Sequence, residues 1–476
     1  MDLIENTLVV GTEAPFDLLR LSVLDLLTGH INWAGIYYFE TLPDLARLKT
    51  ALARTLDIFT AIGGALVSRD GALFIHRNNT GVRFCVYRSP RRYDEACPPG
   101  TLLDGSPLVG SDISVESTLD TGAPLTSVQI IEFAGGDCVL ALRNAHTFDG
   151  PTIRSFMRCW SALYRGAVPA PGNTLPREHI DRLGVGNGYR PSAKFGIAPP
   201  LNFSLGREIS AHKGEYGKIA VEVAASAIDA IVARCKRDSE LALTSSDVVH
   251  ALVWQAFGRA SALADTDLAK IYSIFNLRRV RGLGIPDDYD GNAVIERHAR
   301  LAFADLRGVD TQHVAELFYL QMKPLTAAEV RQDIAFLLRE RARGHIGDDG
   351  RFTNFVRSSV LDCVDGSGLY VNNLSMMEPG EVCFESAAQS FELMGNLGLA
   401  TLFVYRRADG NWIFHHVGRR DTLAGFADAL QRLVTKSLQP AYSLAGHRAR
   451  TRGARVDTAA AIDAGEPVTR CYDLIL

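Results

Sequence analysis

Apolar side chains follow two different spacings along this chain, and the clearest change between them lies near residue 140. Residues 138–142 are apolar without interruption, as is typical of a buried strand. The stretch 152–166 then carries apolar side chains three and four positions apart, at Ile153, Phe156, Met157, Trp160 and Leu163. This spacing predicts an amphipathic helix with one buried face. A strand, a short junction and a helix are therefore expected in succession here.

Both halves of the chain mix strand-like and helix-like patterns. In the first half we predict strands at 31–38 and 62–67, and a hairpin of 127–133 with 137–142. In the second half we predict strands at 218–223, 272–280, 400–405 and 412–415. Predicted helices begin near Leu42, Ala224, Thr244, Thr326 and Thr422. The mixture predicts an α/β fold with mixed α+β sheets.

A stretch rich in proline, glycine and arginine separates the two halves. From residue 169 to about 210 neither period holds, which indicates an irregular crossover. Gly184, Gly186 and Gly188 form no nucleotide-binding fingerprint, because no strand precedes them and no amphipathic helix follows. A chain of 476 residues is too long for one core of usual size. We expect an N-terminal domain of residues 1–170, a crossover loop of residues 171–215 and a C-terminal domain of residues 216–476.

Charge and composition exclude several classes of partner. The 50 basic and 54 acidic residues give a net charge of -4, so no strong field favours nucleic acid or an anionic membrane. No apolar run approaches the ~20 residues of a membrane span, and no secretory signal is visible, so we expect a cytoplasmic protein. The 8 cysteines form no CxxC pair, and His415 and His416 have no carboxylate or thiol at ligand spacing. Reduced thiols and no metal site are expected.

The candidate chemistry lies at the junction between the strand and the helix. His146 follows the strand directly, and Asp149 and Gly150 come just before the helix. A histidine held between two rigid elements can face a cleft and take a proton from an alcohol or amine near neutral pH. The alternative for His146 is a histidine satisfied in the core, and Asp149 is alternatively the N-cap of the helix. No Gly-x-Ser-x-Gly elbow and no P-loop is present.

These residues resemble a known family, the BAHD-type acyl-CoA-dependent acyltransferases. The family pattern is a strand ending in His-x-x-x-Asp-Gly, followed by Phe and Trp seven and eleven residues past the Asp, where this chain has Phe156 and Trp160. Residues 276–293 match, without a gap, a family segment that runs from Asn-x-Arg to Tyr-x-Gly-Asn. Residues 245–254 are similar to the helix that precedes that segment. The resemblance implies two chloramphenicol-acetyltransferase-like domains with a tunnel between them.

The resemblance also implies a reaction and a set of site residues. An acyl group would move from acyl-CoA, a co-substrate rather than a permanently bound cofactor, to a hydroxyl or amine of a small-molecule acceptor in specialised metabolism. His146 would be the general base, and Asn372 would donate a hydrogen bond to the tetrahedral oxyanion unless it only forms a turn. Asp149, paired with Arg278, and Gly150 would support the site, with an ordinary turn glycine as the alternative for Gly150. We expect a monomer.

The chain departs from the family pattern at two places. Only Thr147 and Phe148 separate His146 from Asp149, where the family has three residues, so an ungapped alignment puts Ala145 at the place of the base. The segment Cys383-Phe384-Glu385-Ser386-Ala387 stands where the family has Asp-Phe-Gly-Trp-Gly. Two alternatives follow: acyl transfer or condensation from a carrier-protein thioester, and a catalytically silent relative that binds a metabolite.

Overall fold

The computed structural model describes residues 1–28, 33–96, 113, 115–144, 147–168, 175–186, 213–323, 325–346, 358–394 and 399–438. The strands of this part of the chain are β1 Asp2–Val9, β2 Leu18–Arg20, β3 Trp33–Phe39, β4 Ala65–Arg69, β5 Ala72–His76, β6 Val82–Arg88, β7 Thr126–Glu132, β8 Cys138–Asn144, β9 Tyr216–Val223, β10 Leu268–Asn276, β11 Val294–Ala302, β12 Gly368–Asn373, β13 Ser390–Met394, β14 Thr401–Arg406 and β15 Trp412–Arg419. Its helices are α1 Val23–Thr28, α2 Leu45–Ile58, α3 Tyr93–Ala96, α4 Val115–Thr118, α5 Gly150–Tyr164, α6 Glu178–Gly184, α7 Ala225–Asp238, α8 Ser245–Ala260, α9 Phe303–Gly308, α10 Thr311–Met322, α11 Ala327–Ala342, α12 Ser358–Asp365 and α13 Arg420–Leu438.

The strands form two large mixed sheets and one small sheet. The first sheet has the order β1-β6-β7-β8-β3-β13, with β6 and β7 parallel and the other neighbours antiparallel. The second has the order β11-β10-β12-β14-β15-β9, with β12 parallel to both of its neighbours. The small sheet has the order β2-β5-β4. The predicted mixed α/β class is therefore confirmed.

Two large apolar cores lie among the described residues, and the first also includes side chains from the second sheet, such as Phe403. One core joins α2 and α5 to one face of the first sheet, through residues such as Leu48, Leu142 and Phe156. The other joins α8 and α13 to the second sheet, through residues such as Leu252 and Leu402. One strand, β13, comes from far along the chain and pairs with β3 of the first sheet.

Most predicted elements near the junction are confirmed. The hairpin is β7 and β8, and the amphipathic helix is α5, whose buried face contains the apolar residues named from the sequence. The predicted helix starts at Thr244 and Thr326 are also present, since each of these residues forms a capping box with an acidic residue three positions later.

One predicted boundary is wrong, and one stretch predicted to be irregular contains a helix. The strand expected at 272–280 is β10, which ends at Asn276 because the Asn276 side chain accepts a hydrogen bond from the Arg278 backbone and turns the chain. The crossover contains a helix, α6, where no period was recognised. Gly184 ends α6 against α11, and a Cβ built there would lie 2.7 Å from the Ala335 nitrogen. Glycine is therefore needed for helix packing at this position. Gly188 lies outside the described residues.

None of the helices in the described ranges combines the length and the apolar composition needed to cross a bilayer. The cysteines within these ranges are free thiols, among which Cys85, Cys138, Cys235 and Cys363 are buried.

Two buried histidines in the second sheet predict a loss of stability in acid. Burial lowers the pKa of His416 to about 4, although the Thr401 carbonyl next to its Nδ1 partly opposes this shift. Burial likewise lowers the pKa of His298 to about 4. In the unfolded chain these histidines bind protons near the ordinary pKa of ~6.5. The folded protein therefore keeps its full stability above pH ~6.5, and its free energy of unfolding falls as the pH drops towards 4.

We expect the His416→Gln variant to lose less stability in acid than the wild type. Between pH 8 and 4.5 its free energy of unfolding should fall by about 2 kcal/mol less, because glutamine does not titrate. Denaturant titrations at both pH values measure this difference. The control is His313→Gln, which changes an exposed histidine. Its free energy of unfolding should change between the two pH values as that of the wild type does. A pH dependence of His416→Gln that matched the wild type would contradict the assignment.

Candidate active site

The junction between β8 and α5 is buried on both sides of the expected base. β8 ends at Asn144 and α5 begins at Gly150. His146 and Ala145 lie outside the described residues. Thr147, Phe148 and Asp149, which follow in the chain, are all buried.

Asp149 has two structural roles at once. Its Oδ1 accepts hydrogen bonds from the Thr152 backbone at 3.0 Å and from the Thr152 hydroxyl at 2.8 Å, which makes it the N-cap of α5. Arg278 donates from Nη1 to Oδ2 at 2.7 Å and from Nη2 to Oδ1 at 3.0 Å. The Ala293 backbone donates to Oδ2 at 2.9 Å. The N-cap and the arginine pair, which the sequence left as alternatives, coexist.

Arg278 joins this junction to a distant loop. Its Nη2 also donates to the carbonyls of Tyr289, at 2.6 Å, and Gly291, at 3.0 Å. The chain turns at Asn276, where β10 ends, and the Arg278 side chain is buried. The Arg278 guanidinium lies 5.5 Å from the centre of the Tyr289 ring. Asp149, α5 and the 289–293 segment are thus tied together through one side chain.

Gly150 contacts little at the start of α5. A Cβ built on it would meet no described atom within 4 Å, and its backbone does not have a positive φ. The described residues therefore give no steric reason for a glycine at this position.

A second buried arginine, Arg177, was missed by sequence reasoning. Its Nη1 donates to Asp25 Oδ1 at 3.0 Å and to the Thr147 carbonyl at 2.6 Å, and its Nη2 donates to the Asp290 carbonyl at 2.8 Å. The guanidinium also lies 4.8 Å from the centre of the Phe148 ring. The side chains of Arg177 and Asp25 are both fully buried.

Asp25 is itself held by several donors. Its Oδ2 accepts from the backbone and the hydroxyl of Ser22, at 2.9 and 2.8 Å. Its Oδ1 accepts from the backbone and the side-chain amide of Asn292, both at 3.0 Å. A sequence signal for Asp25 did exist, because it is the only charged residue in the apolar run 21–27. Arg177 carried no such signal, since it lies among the polar residues of the crossover.

The electrostatics around Arg177 favour its charged form. Burial alone would lower the pKa of its guanidinium, but the carboxylates of Asp25 and Asp290 outweigh burial and raise it. Burial raises the pKa of the Asp290 carboxyl, and Arg177 offsets this only in part. Burial also raises the pKa of Tyr289 well above its ordinary value. No group of three potential metal ligands occurs among the described residues.

Asn372 lies on another element, in the second sheet. It is half-buried near the end of β12 and stands opposite Phe403 of β14 in the sheet register. Within the described ranges, its side chain makes no hydrogen bond to Asp149, Gly150 or Arg278. The structure therefore brings Asp149, Gly150 and Arg278 together, which are three of the five expected residues.

The segment that replaces the family's Asp-Phe-Gly-Trp-Gly packs onto α5. The buried Phe384 ring contacts Trp160 and Tyr164 edge-on, each with ring centres 5.3 Å apart. Glu385 accepts a hydrogen bond from the Tyr164 hydroxyl. Arg154 of α5 donates two hydrogen bonds to Glu381, at 2.7 and 2.8 Å. The segment thus keeps an aromatic contact and a hydrogen bond with α5 even though the motif has changed, and Glu381 just before it adds an ion pair.

Comparison with known proteins gives the family. The sequence model of the Transferase family matches residues 3–340, which is more than half of the chain. The chain is 24% identical to a hydroxycinnamoyltransferase of Narcissus pseudonarcissus, over 83% of this chain and 95% of that protein. It is 22% identical to putrescine hydroxycinnamoyltransferase 3 of Oryza sativa subsp. japonica, over 69% of this chain and 75% of that protein.

Solved structures share the fold. TRI101 of F. graminearum, in complex with coenzyme A and deoxynivalenol, matches with a TM-score of 0.66 and 12% identity, over 86% of this chain and 96% of that one. Vinorine synthase matches with a TM-score of 0.62 and 13% identity, over 91% and 98%. The chain therefore belongs to the Transferase family, the BAHD-type acyltransferases of chloramphenicol-acetyltransferase-like fold, and transfers acyl groups from acyl-CoA, its co-substrate, to a hydroxyl or amine of a small molecule.

Proposed function

We propose that His146 is the general base of this acyl transfer. The observation that carries the proposal is the buried, bidentate ion pair between Asp149 and Arg278. This pair holds the backbone turn three residues after His146. A catalytic group must be held by rigid neighbours to be effective, and a bidentate arginine pair between buried side chains supplies such rigidity. Gly150, as the first residue of α5, and Arg278 belong to this support in our proposal.

The reaction needs one proton to move twice. The imidazole takes the proton of the acceptor hydroxyl or amine as its oxygen or nitrogen attacks the thioester carbonyl. The tetrahedral intermediate then collapses, the carbon–sulfur bond breaks, and the imidazolium returns the proton to the CoA thiolate. An imidazole suits both steps, because the ordinary histidine pKa of ~6.5 lies close to neutral pH. The products are an ester or amide and free CoA.

Asn372 is the proposed donor to the oxyanion of that intermediate. Its amide can donate a hydrogen bond from the end of β12, and its half-buried position strengthens such a bond relative to one in water. We expect Asn372→Ala to lower kcat by about 10²-fold with little change in KM, since the contact forms mainly in the transition state. Neighbouring Asn373→Ala is the matched control, because Asn373 instead bonds Ser246 and Ser375. Equal kcat values for Asn372→Ala and Asn373→Ala would contradict the proposed role of Asn372 as the oxyanion donor.

For the donor we propose a hydroxycinnamoyl thioester, since two of the relatives at 22 to 24% identity carry that acyl group in their names. The proposed acceptor is a small molecule with an amine or hydroxyl group. It would bind in a tunnel between an N-terminal domain, residues 1–170, and a C-terminal domain, residues 216–476, which the crossover 171–215 joins. We further propose a cytoplasmic monomer. The free thiols of the described cysteines fit a reducing compartment.

Release of free CoA measures the proposed activity. The purified protein is incubated with a hydroxycinnamoyl-CoA, malonyl-CoA, acetyl-CoA or an acyl carrier-protein thioester, each with a panel of amines and alcohols, and the released thiol is followed with a chromogenic reagent. We expect release with the hydroxycinnamoyl donor that depends on the acceptor. Transfer from a carrier-protein thioester but not from CoA, or no transfer from any donor, would contradict the proposal. Size-exclusion chromatography tests the monomer.

A further inference from the structure

We infer that Arg177, held by Asp25, is a positioning residue that fixes the backbone directly after His146. The inference rests on the proposed function, in which His146 is the base. Arg177 belongs to a different part of the chain from Arg278, and it contacts the other end of the same turn.

The contacts of Arg177 fall on the two residues that separate His146 from Asp149. Its Nη1 donates to the Thr147 carbonyl at 2.6 Å, and its guanidinium lies against the Phe148 ring. The Thr147 carbonyl belongs to the planar peptide between Thr147 and Phe148, so the hydrogen bond from Arg177 holds that peptide in place. Only the two backbone dihedral angles of Thr147 then separate this held peptide from the peptide that follows His146.

The two arginines join the turn to one shared loop, residues 289–291. Arg278 takes the carbonyls of Tyr289 and Gly291, and Arg177 takes the carbonyl of Asp290 between them. Three successive carbonyls are thus bound by two guanidinium groups. The same two groups also donate to the turn: Arg278 to the Asp149 carboxylate, and Arg177 to the Thr147 carbonyl.

The anchoring of Arg177 is too extensive for a side chain that only fills space. Asp25 binds it with an oxygen that also accepts two hydrogen bonds from Asn292, and the second Asp25 oxygen is held by Ser22. A buried ion pair is expensive to desolvate and is weak evidence for stability by itself. Its use in fixing one geometry is the better explanation, because two nitrogens of one planar fork hold Asp25, Thr147 and Asp290 in a set arrangement, whereas the donors of a lysine share one rotating nitrogen.

The short spacing makes this grip important for the reaction. With two spacer residues, the chain has fewer backbone dihedral angles to absorb an error between Asp149 and His146. A displacement of ~1 Å at a reacting group can cost about 10²-fold in rate. Arg177 removes that freedom at the residue adjacent to the base.

The test compares Arg177→Lys with a matched control, Arg341→Lys. Arg341 forms a largely buried pair with Asp181, whose other oxygen accepts a hydrogen bond from Val23, two residues before Asp25. Both variants should lower Tm. We expect only Arg177→Lys to lower kcat, by about 10²-fold, with KM for acyl-CoA within a few-fold. Its residual rate should also keep rising with pH above 8, because hydroxide replaces a misplaced base, whereas the wild type and Arg341→Lys level off.

Phe148→Leu is a second variant for the case that Arg177→Lys does not fold. It keeps every charge and replaces the buried ring against the guanidinium with another apolar side chain, and we expect kcat to fall about tenfold. Wild-type kcat in folded Arg177→Lys, or in Phe148→Leu if the lysine variant is unfolded, would overturn the inference. An equal loss of kcat in Arg341→Lys would overturn it as well.

The two proposals fail in distinguishable ways. If His146→Ala keeps the full rate, the base assignment fails, and the role of Arg177 fails with it. If His146→Ala is inactive while folded Arg177→Lys keeps the wild-type kcat and pH profile, only the inference on Arg177 is wrong.

Discussion

Replacing His146 with alanine is expected to lower kcat by about 10²- to 10⁴-fold, the range that a positioned general base contributes. The KM for acyl-CoA should stay within a few-fold, because the imidazole acts on the acceptor proton and not on the bound thioester. Initial rates of thiol release at saturating donor and acceptor measure the effect. Free imidazole added to the variant should restore part of the rate, since the missing group is a base and not a scaffold.

Controls separate this loss from a general defect. The His313→Ala variant changes an exposed histidine on α10 and should keep the wild-type kcat. Circular dichroism and Tm of His146→Ala should match the wild type. Full activity of a folded His146→Ala protein would show that another group takes the proton, and the shortened spacing to Asp149 would then mark a displaced base.

The second large effect is expected from Asp149→Asn, on stability. Asp149 accepts hydrogen bonds from Arg278, Thr152 and Ala293, and an asparagine would turn an NH₂ group towards some of these donors. Removing one partner of a buried ion pair costs about 3–5 kcal/mol of unfolding free energy. Activity should fall in proportion to the folded fraction. Denaturant unfolding followed by fluorescence, with activity measured on the same samples, provides both readouts.

A neighbouring arginine gives the matched control for this pair. Arg279 and Asp287 are 3.9 Å apart, and their side chains are 68% and 72% exposed, so Arg279→Ala should change stability by no more than about 0.5 kcal/mol. The double variant Asp149→Leu with Arg278→Met should recover part of the loss, because no unpaired charge remains buried. A normally stable Asp149→Asn protein without activity would instead indicate direct chemistry by Asp149.

The sequence predicted the parts of this site that depend on local pattern. Helix α5 follows from apolar spacing alone, and its N-cap follows from an aspartate placed before the first turn. The partner of Asp149 required the resemblance, because Arg278 is 129 positions away and no periodicity connects the two. Elements without a strong local signal, such as β2 and β5 of the small sheet and α6, were not recognised.

The contacts of Arg177 were beyond any local argument. It meets Asp25 across 152 positions and Asp290 across 113, and both contacts exist only after the loops have been brought together by the two cores. A buried charge is expected to have a partner, so Asp25 alone predicts that a cation exists somewhere. Which of the chain's 50 basic residues it is depends on the tertiary structure.

The pairing of β13 with β3 has a consequence for how the protein is made. The ribosome releases residues 33–39 early, whereas residues 390–394 complete that sheet only after most of the chain has been translated. At ~5–20 residues per second, the nascent β3 waits roughly 20–70 s with one edge unpaired. An open strand edge is a template for wrong pairing. Yield on expression should therefore depend on chaperone supply and on translation speed, even for variants whose finished fold is stable.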